Sequence, residues 1–409
     1  MNITVIGGGT AGWISALFFK KFGDHTITVI DSSRIGILGA GESSTPILPS
    51  LLKNLDIDLN DFIKKTNATK KYSNDFINWS PNGGEYTHAF ELNYDKVVYG
   101  IHFDAKECAK YFKQIGINRH INHLDINIIN LNQNDVGDII SIDSEEGVTI
   151  ETDFVIDCSG FARLGAGKLF NSKWISYSEH LKTNAALAYF LPQTENIDHT
   201  TKTHTRSIAM KNGWMWQVPL QHRWGCGYVF NDGYISIEEA KKEVEEYIGK
   251  DIEVVKTFKY NPGSYEKTWN NNCVSLGLAS GFLEPIEGTS LMTLIFSIFK
   301  LNKIGLGNYN NNEVVNEYNE YIKDINHQCM LFVRYHYDCE RTDTDFWLDI
   351  KNLEPPQELM NIKKNLYMME TNQDLLNIIN PNSNFTIFGV YNYQMVNLGR
   401  KVKTKKTLV

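Results

Sequence analysis

The sequence predicts an α/β protein: a dinucleotide-binding domain, an inserted β-sheet region on the substrate side, and a helical C-terminal region. Three observations carry this expectation. The chain opens on a β-branched run, Ile3-Thr4-Val5-Ile6, that leads straight into a glycine loop, Gly7-Gly8-Gly9-Thr10-Ala11-Gly12-Trp13. Two later apolar runs, Asp153 to Gly160 and Cys273 to Gly281, also stop at small residues and a glycine. Three such strand ends can converge on one crevice, where nucleotides bind. From Leu291 onward, Leu291, Leu294, Ile295, Ile298 and Leu301 recur at helical spacing.

Taken in order, the first run suits a buried parallel strand. Gly7, Gly9 and Gly12 fit G-x-G-x-x-G. The first allows a tight turn, the second lets backbone approach a pyrophosphate, and the third lets the helix pack on the strand. Trp13 to Phe22 then reads as a helix whose N-terminal amides face phosphates. A second strand, Thr26 to Ile30, ends in Asp31, an acid placed to hydrogen-bond a ribose hydroxyl. Residues 118–155 alternate apolar and polar around Asp135-Val136-Gly137-Asp138, a hairpin signal. Residues 183–262, with Ala185 to Tyr189 and Gly225 to Phe230, read as a second sheet. The division is therefore discontinuous: 1–110, 118–180 and 263–310 in the nucleotide domain, 183–262 in the substrate-side sheet, and 311–409 helical. Leu164 to Lys168 imitates part of a phosphate loop. Ala162 stands where its first glycine belongs, and no Ser or Thr follows Lys168. It reads instead as the loop after the second nucleotide strand.

A formal charge of −8 over 409 residues makes nucleic acid an unexpected partner. The six cysteines show no metal-type spacing, and no metal is expected. No apolar stretch reaches the length of a membrane span, and Met1-Asn2-Ile3 enters the first strand directly. The expectation is a cytoplasmic enzyme with no membrane partner. Arg400 to Lys406 reads as a solvated tail, and a homo-oligomer is left open.

Further motifs occur in a fixed order: Gly41-Glu42-Ser43-Ser44-Thr45-Pro46, His102-Phe103-Asp104-Ala105, Asp157-Cys158-Ser159-Gly160, Gly213-Trp214-Met215-Trp216-Gln217-Val218-Pro219, Phe282-Leu283-Glu284-Pro285-Ile286-Glu287 and Asp345-Phe346-Trp347-Leu348. Together with the glycine loop they resemble the flavin-dependent halogenases of the tryptophan-halogenase type, over most of the chain. Leu278 stands where general flavin monooxygenases carry an Asp, as it does in the halogenases. The resemblance implies a glutathione-reductase-type domain binding FAD, used as FADH2, through Gly7, Gly9, Ala11, Gly12, Asp31, Ser32, Glu42, Ser43, Gly160, Gly277 and Leu291. It also implies a halide co-substrate (chloride, bromide or iodide), a small aromatic substrate and a separate flavin reductase, since no second nucleotide loop is evident.

The family's catalytic lysine lies shortly before F-x-N-W. Counting back from Phe76-Ile77-Asn78-Trp79 reaches Lys71, with Lys70 the alternative after a one-residue slip. Read without the resemblance, Lys71 is one of several solvated lysines. A lysine suits the chemistry because a cation or amine can activate hypohalous acid. Glu287 occupies the position of the acid that accepts the ring proton; its bland alternative is an acid near a helix N-terminus. Thr289 and Ser290 correspond to the halide site, but the family's Glu-Ser-Thr-Gly reads Glu287-Gly288-Thr289-Ser290 here. The freedom to adopt positive φ has moved to residue 288. His88, Phe90 and Trp214 correspond to substrate-side residues, although Trp214 and Trp216 could equally fill a strand's apolar face and His88 could be a core histidine. Only Glu91 to Gly100 fills the place of a substantial family insertion, and Asn377 to Phe388 lacks the sandwiching tryptophan. Free tryptophan is therefore not the expected substrate. Two rivals share the fold: an aromatic hydroxylase and a flavoprotein that has lost catalysis.

Overall fold

A computed structural model describes residues 1–37, 41–81, 83–90, 98–195, 197 and 201–401. Strand β1 (Asn2–Ile6) enters the glycine loop, and helix α1 begins at Thr10, three residues before the expected start, and runs to Phe22. Strand β2 (Thr26–Asp31) lies parallel to β1. These strands belong to a six-stranded sheet in the order Trp269–Asn270, Cys273–Ser275, Phe154–Asp157, β1, β2, Asn122–Asp125. Cys273–Ser275, Phe154–Asp157 and β1 are parallel neighbours, with Ile6 opposite Asp157 and Asp157 opposite Ser275. Their carboxyl ends therefore open on one edge, the arrangement expected from the three glycine-terminated runs.

The hairpin at 128–144 forms as expected, with Asn134 N donating to Asp138 O across the turn. The segment after Asp157 is more ordered than a plain loop. It makes two short helical turns, Gly160–Ala162 and Leu164–Leu169, because Asp157 Oδ2 accepts from Gly165 N and Ser275 Oγ accepts from Ala166 N.

A second, nine-stranded sheet draws on more of the chain than 183–262. It also takes β3 (Glu42–Ser43), β4 (Thr69–Ile77), β5 (Glu85–Ala89) and β6 (Gly100–Phe103). Strand β6 pairs with both β3 and β4, and β4 continues the sheet to Thr203–Ala209. Strand β3, with Glu42 and Ser43, and strand β4, which carries Lys71, are thus separated by β6 alone. Gly213–Pro219 is buried along its whole length, so its pattern is continuous rather than alternating.

Helix Thr289–Ile304 packs between the two sheets, and the long helix Asn312–His336 leads the expected helical region. The last helix, Val390–Lys401, lies along β5. Among the described residues, no helix is long and apolar enough to cross a membrane.

Candidate active site

The crevice at the carboxyl ends of the first sheet is built by glycines with separate duties. A Cβ on Gly7 would strike the Cys158 carbonyl and one on Gly12 the Gly7 carbonyl, whereas at Gly9 and Gly160 it would meet nothing within 4 Å. Gly9 caps α1 with no side-chain bond, and the first turn carries no acid. Its uncapped amides and the open space before them fit an anionic pyrophosphate. Gly277, at φ +61°, brings its turn against the Ala11 methyl group. Asp31 lies beside Gly8 and is held by His123 Nε2 at 2.8 Å; Ser32 Oγ accepts from Arg34 N. Glu42 accepts from Thr10 Oγ1 at 3.2 Å, and burial pushes its carboxyl up to about 7. Leu291 is buried in the first turn of its helix. These residues fit a dinucleotide laid across the strand ends.

Lys71 and Lys70 part company on β4. Lys71 is wholly buried, while Lys70 is half-buried with its Nζ 4.7 Å from the Tyr99 ring. Adjacent strand residues point to opposite faces, so a one-residue slip would change the candidate's environment completely. Lys71 Nζ has no hydrogen-bond partner among the described residues and sits 5.3 Å from the centre of the Phe90 ring. Burial lowers its pKa to about 8, against the opposing pull of Glu287. Thr203 pairs with Lys71 and His204 with Ser73, leaving Tyr72 as an extra residue. This bulge changes the inward parity, so that Lys71 and Asn74 both face the interior.

Asn74 is one of three groups gathered on Glu287. Its amide donates to Glu287 Oε2, and His88 Nδ1 lies 2.7 Å from Oε1. His336 Nε2 lies 3.4 Å from Oε1, not aimed for a hydrogen bond. Burial alone would raise the Glu287 carboxyl, but the His88 and His336 rings outweigh it and hold it well below the usual carboxylate range. His336 ends the long helix, stacks on Phe76 at 4.4 Å, and is lowered by burial to about 4. His88 Nε2 meets Asn392 Oδ1 of the last helix at 3.0 Å.

Glu287 and Gly288 have φ of +61° and +69°. The relocated glycine is needed twice, since a Cβ at 288 would also lie 2.7 Å from the Ser43 carbonyl oxygen. Thr289 then starts its helix with no side-chain cap, and its buried hydroxyl has no partner among the described residues. Half-buried Ser290 follows. Orphan amides and an orphan hydroxyl at one helix start suit an anion.

Trp214 is buried, and its Nε1 donates to Glu284 Oε1 at 3.1 Å. Glu284 also accepts from Thr183 and Tyr337, and burial pushes it up to about 7. Trp214 is therefore bonded into the core, and Trp216 packs on Gly227. Most of the short lid, 91–97, lies outside the described residues. Asn74, His336 and Glu284 carried no assignment from the sequence. Asn74 could have been flagged as a polar residue on a strand between Lys71 and Phe76, whereas His336 is contributed by a helix far along the chain.

A flavin-type crevice joined to a buried lysine and a buried, ionised carboxylate defines the class, a flavoprotein oxidoreductase. Comparisons make it specific. The tryptophan halogenase family matches residues 2–97 and 91–408. The tryptophan 6-halogenase of Streptomyces toxytricini is 26% identical, over 88% of this chain and 82% of that protein. The tryptophan 7-halogenase of Lentzea aerocolonigenes is also 26% identical, over 86% and 79%. A flavin-dependent halogenase from Xanthomonas campestris superposes with a TM-score of 0.87 at 26% identity, covering 99% of this chain and 90% of that one. The chain belongs to the tryptophan halogenase family and is an enzyme of the flavin-dependent halogenase type.

Proposed function

We propose that the protein halogenates an electron-rich aromatic substrate other than free tryptophan, using FADH2 delivered by a separate reductase, oxygen and a halide. The observation that carries this reading is the buried Lys71 ammonium, which has no hydrogen-bond partner among the described residues and lies near the ionised Glu287. When bound, the reduced flavin supplies, with oxygen, the oxidising power that turns halide into hypohalous acid. Gly7, Gly9, Gly12, Gly160 and Gly277 shape its crevice, and the uncapped start of α1 faces its phosphates. Thr289 and the amides beside it, including that of Ser290, hold the halide.

Lys71 donates to the hydroxyl of hypohalous acid. As the carbon–halogen bond forms on the ring, the halogen–oxygen bond breaks and the departing hydroxide takes the Lys71 proton and leaves as water. Glu287 accepts the ring proton, and its low proton affinity returns that proton to Lys71. Phe90 lies over Lys71, and His88 holds Glu287 rather than standing free as a substrate wall.

The test supplies reduced FAD, oxygen and each halide with phenols, indoles and pyrroles. Halogenated product is expected. Lys71→Ala should lose it by at least about 10²-fold while flavin reoxidation continues, and Lys70→Ala should match the parent. Hydroxylated product would establish the hydroxylase instead, and peroxide alone would indicate a flavoprotein without this catalysis. Efficient, regioselective turnover of free tryptophan would overturn the substrate assignment.

A further inference from the structure

His102, in the His102-Phe103-Asp104-Ala105 motif, is a fully buried histidine beside the site, and no step above uses it. It sits on β6, cross-strand from Ser43 on one side and Thr69 on the other. Cross-strand neighbours share a face, and Lys71 shares that face two residues beyond Thr69. The ring is fully buried and surrounded by hydroxyls. Nδ1 is 3.1 Å from Thr69 Oγ1 and 3.4 Å from Thr203 Oγ1; Nε2 is 2.8 Å from Thr205 Oγ1, which is 3.2 Å from Ser43 Oγ.

The direction of each bond follows from the carbonyls at the edge of this cluster. Thr69 Oγ1 lies 2.7 Å from the Pro219 carbonyl, and Thr203 Oγ1 bonds the Lys70 carbonyl. A carbonyl only accepts, so both threonine hydrogens are spent there. Nδ1 must therefore carry hydrogen and donate to Thr69. Nε2 then has a lone pair, which accepts from Thr205, and the Thr205 oxygen is left to accept from Ser43. Burial, reinforced by the nearby Lys71 charge, lowers the imidazole's pKa well below the ordinary value and keeps the ring neutral.

Every hydrogen-bonding atom of this neutral cluster has a partner within it. That accounts for an otherwise costly feature: a buried ammonium on the same strand face as these hydroxyls, with no hydrogen-bond partner among the described residues. We propose that His102 is a positioning residue for Lys71: its Nδ1–H occupies the Thr69 oxygen while its Nε2 fixes the Thr205 hydroxyl as a donor, so that the ammonium is left free for the reacting species. The same ring ties the flavin-side strand β3 to the lysine strand β4, fixing the separation of the two halves of the site. The inference rests on the proposed halogenase reading for its catalytic meaning, but the state of Lys71 can be measured without turnover.

The experiment compares the full-length parent with His102→Leu, His102→Asn and the triple variant His102→Leu/Thr69→Val/Thr205→Val. One measurement is the pH midpoint for carbamylation of Lys71 by cyanate, read by peptide mass spectrometry in the absence of halide and substrate. The other is product formed per FADH2 oxidised. His102→Leu removes the donor to Thr69 and frees that oxygen to accept from Lys71, which favours the charged amine. Its midpoint should rise by about one pH unit, with coupling down about tenfold and FAD affinity within about twofold of the parent. The triple variant removes that acceptor along with the Thr205 hydroxyl and should return both readouts most of the way. His102→Asn keeps a donor toward Thr69 and should remain near the parent, which preserves the test if the leucine variant does not fold.

An unchanged midpoint in His102→Leu would overturn the proposal, as would a triple variant no better than the single one, since the ring would then be merely structural. If His102→Leu does not fold, a His102→Asn midpoint displaced as far as about one unit would overturn it as well. If the parent yields no halogenated product with any arene, the halogenase reading fails, and the cyanate midpoints still decide the role of His102.

Discussion

Around Glu287 the protein gathers an amide donor and two imidazoles; near Lys71 it places an aromatic ring, and the Thr69 hydroxyl on the same strand face is already bonded elsewhere. Both groups are buried, and both pay a desolvation cost. For the carboxylate, local donors return that cost, so its charge is fixed and its proton affinity is low. For the lysine it is left unrecovered, and the ammonium is destabilised toward its neutral form. The difference separates two kinds of buried charge: one held by the protein as a stable sink, the other kept short of partners so that a reagent can supply them.

The largest expected effect comes from the held charge. Glu287→Gln should lower the rate of halogenation by about 10²-fold, the range of general base catalysis, while FAD binding persists in a flavin titration. Full activity in that variant would mean that Glu287 serves only to order His88 and Asn74.

The pH dependence tests the other side. Halogenation should decline as pH rises through about 8, as Lys71 loses its proton, and should fall about tenfold per unit beyond that. The stability sign is opposite. The lysine's folded value lies below its ordinary 10.5, so the unfolded chain binds more protons between about 8 and 10.5, and the contribution of Lys71 to stability rises across that window. A Lys71→Arg variant with any residual activity should lack the alkaline limb; persistence of the limb would assign it to another group.

The smallest effect concerns the turn that joins the two regions. Gly288→Ala forces a side chain into φ +69° and onto the Ser43 carbonyl. The conformational part costs about 1–2 kcal/mol, which calorimetry should read as a melting temperature lower by a few degrees. Halide should bind more weakly in the same variant, since the turn presents Thr289. An unchanged melting temperature with weakened halide would separate the site's shape from the strain.

The nucleotide crevice was legible because its requirements are local. The positive φ of Gly7 and the approach of Gly12 to the Gly7 carbonyl are set within a few residues, and the Asp153–Gly160 and Cys273–Gly281 runs announce their ends in the same way. Lys71 was legible only through its motif, because neighbouring Lys70 is chemically identical and the face of a strand depends on what pairs with it. The bulge at Tyr72 was not legible at all, since it exists in the register with Thr203 and His204, more than a hundred residues away in sequence. His336 and Asn392 were missed for the same reason. Each closes on the site from a helix whose own pattern says only which face is apolar. Membership of β3 to β6 in the large sheet likewise rests on long-range pairing, which no local propensity reports.

The bond between His88 and Asn392 joins residues 304 positions apart in sequence. A ribosome that has polymerised the entire glycine loop, the lysine strand and the glutamate turn has still not made the helix that backs His88. The residues of the nucleotide crevice are therefore all synthesised before the pocket's last supporting helix. A nascent chain at that stage carries His88 and Glu287 but not yet the amide that meets the far nitrogen of the His88 ring.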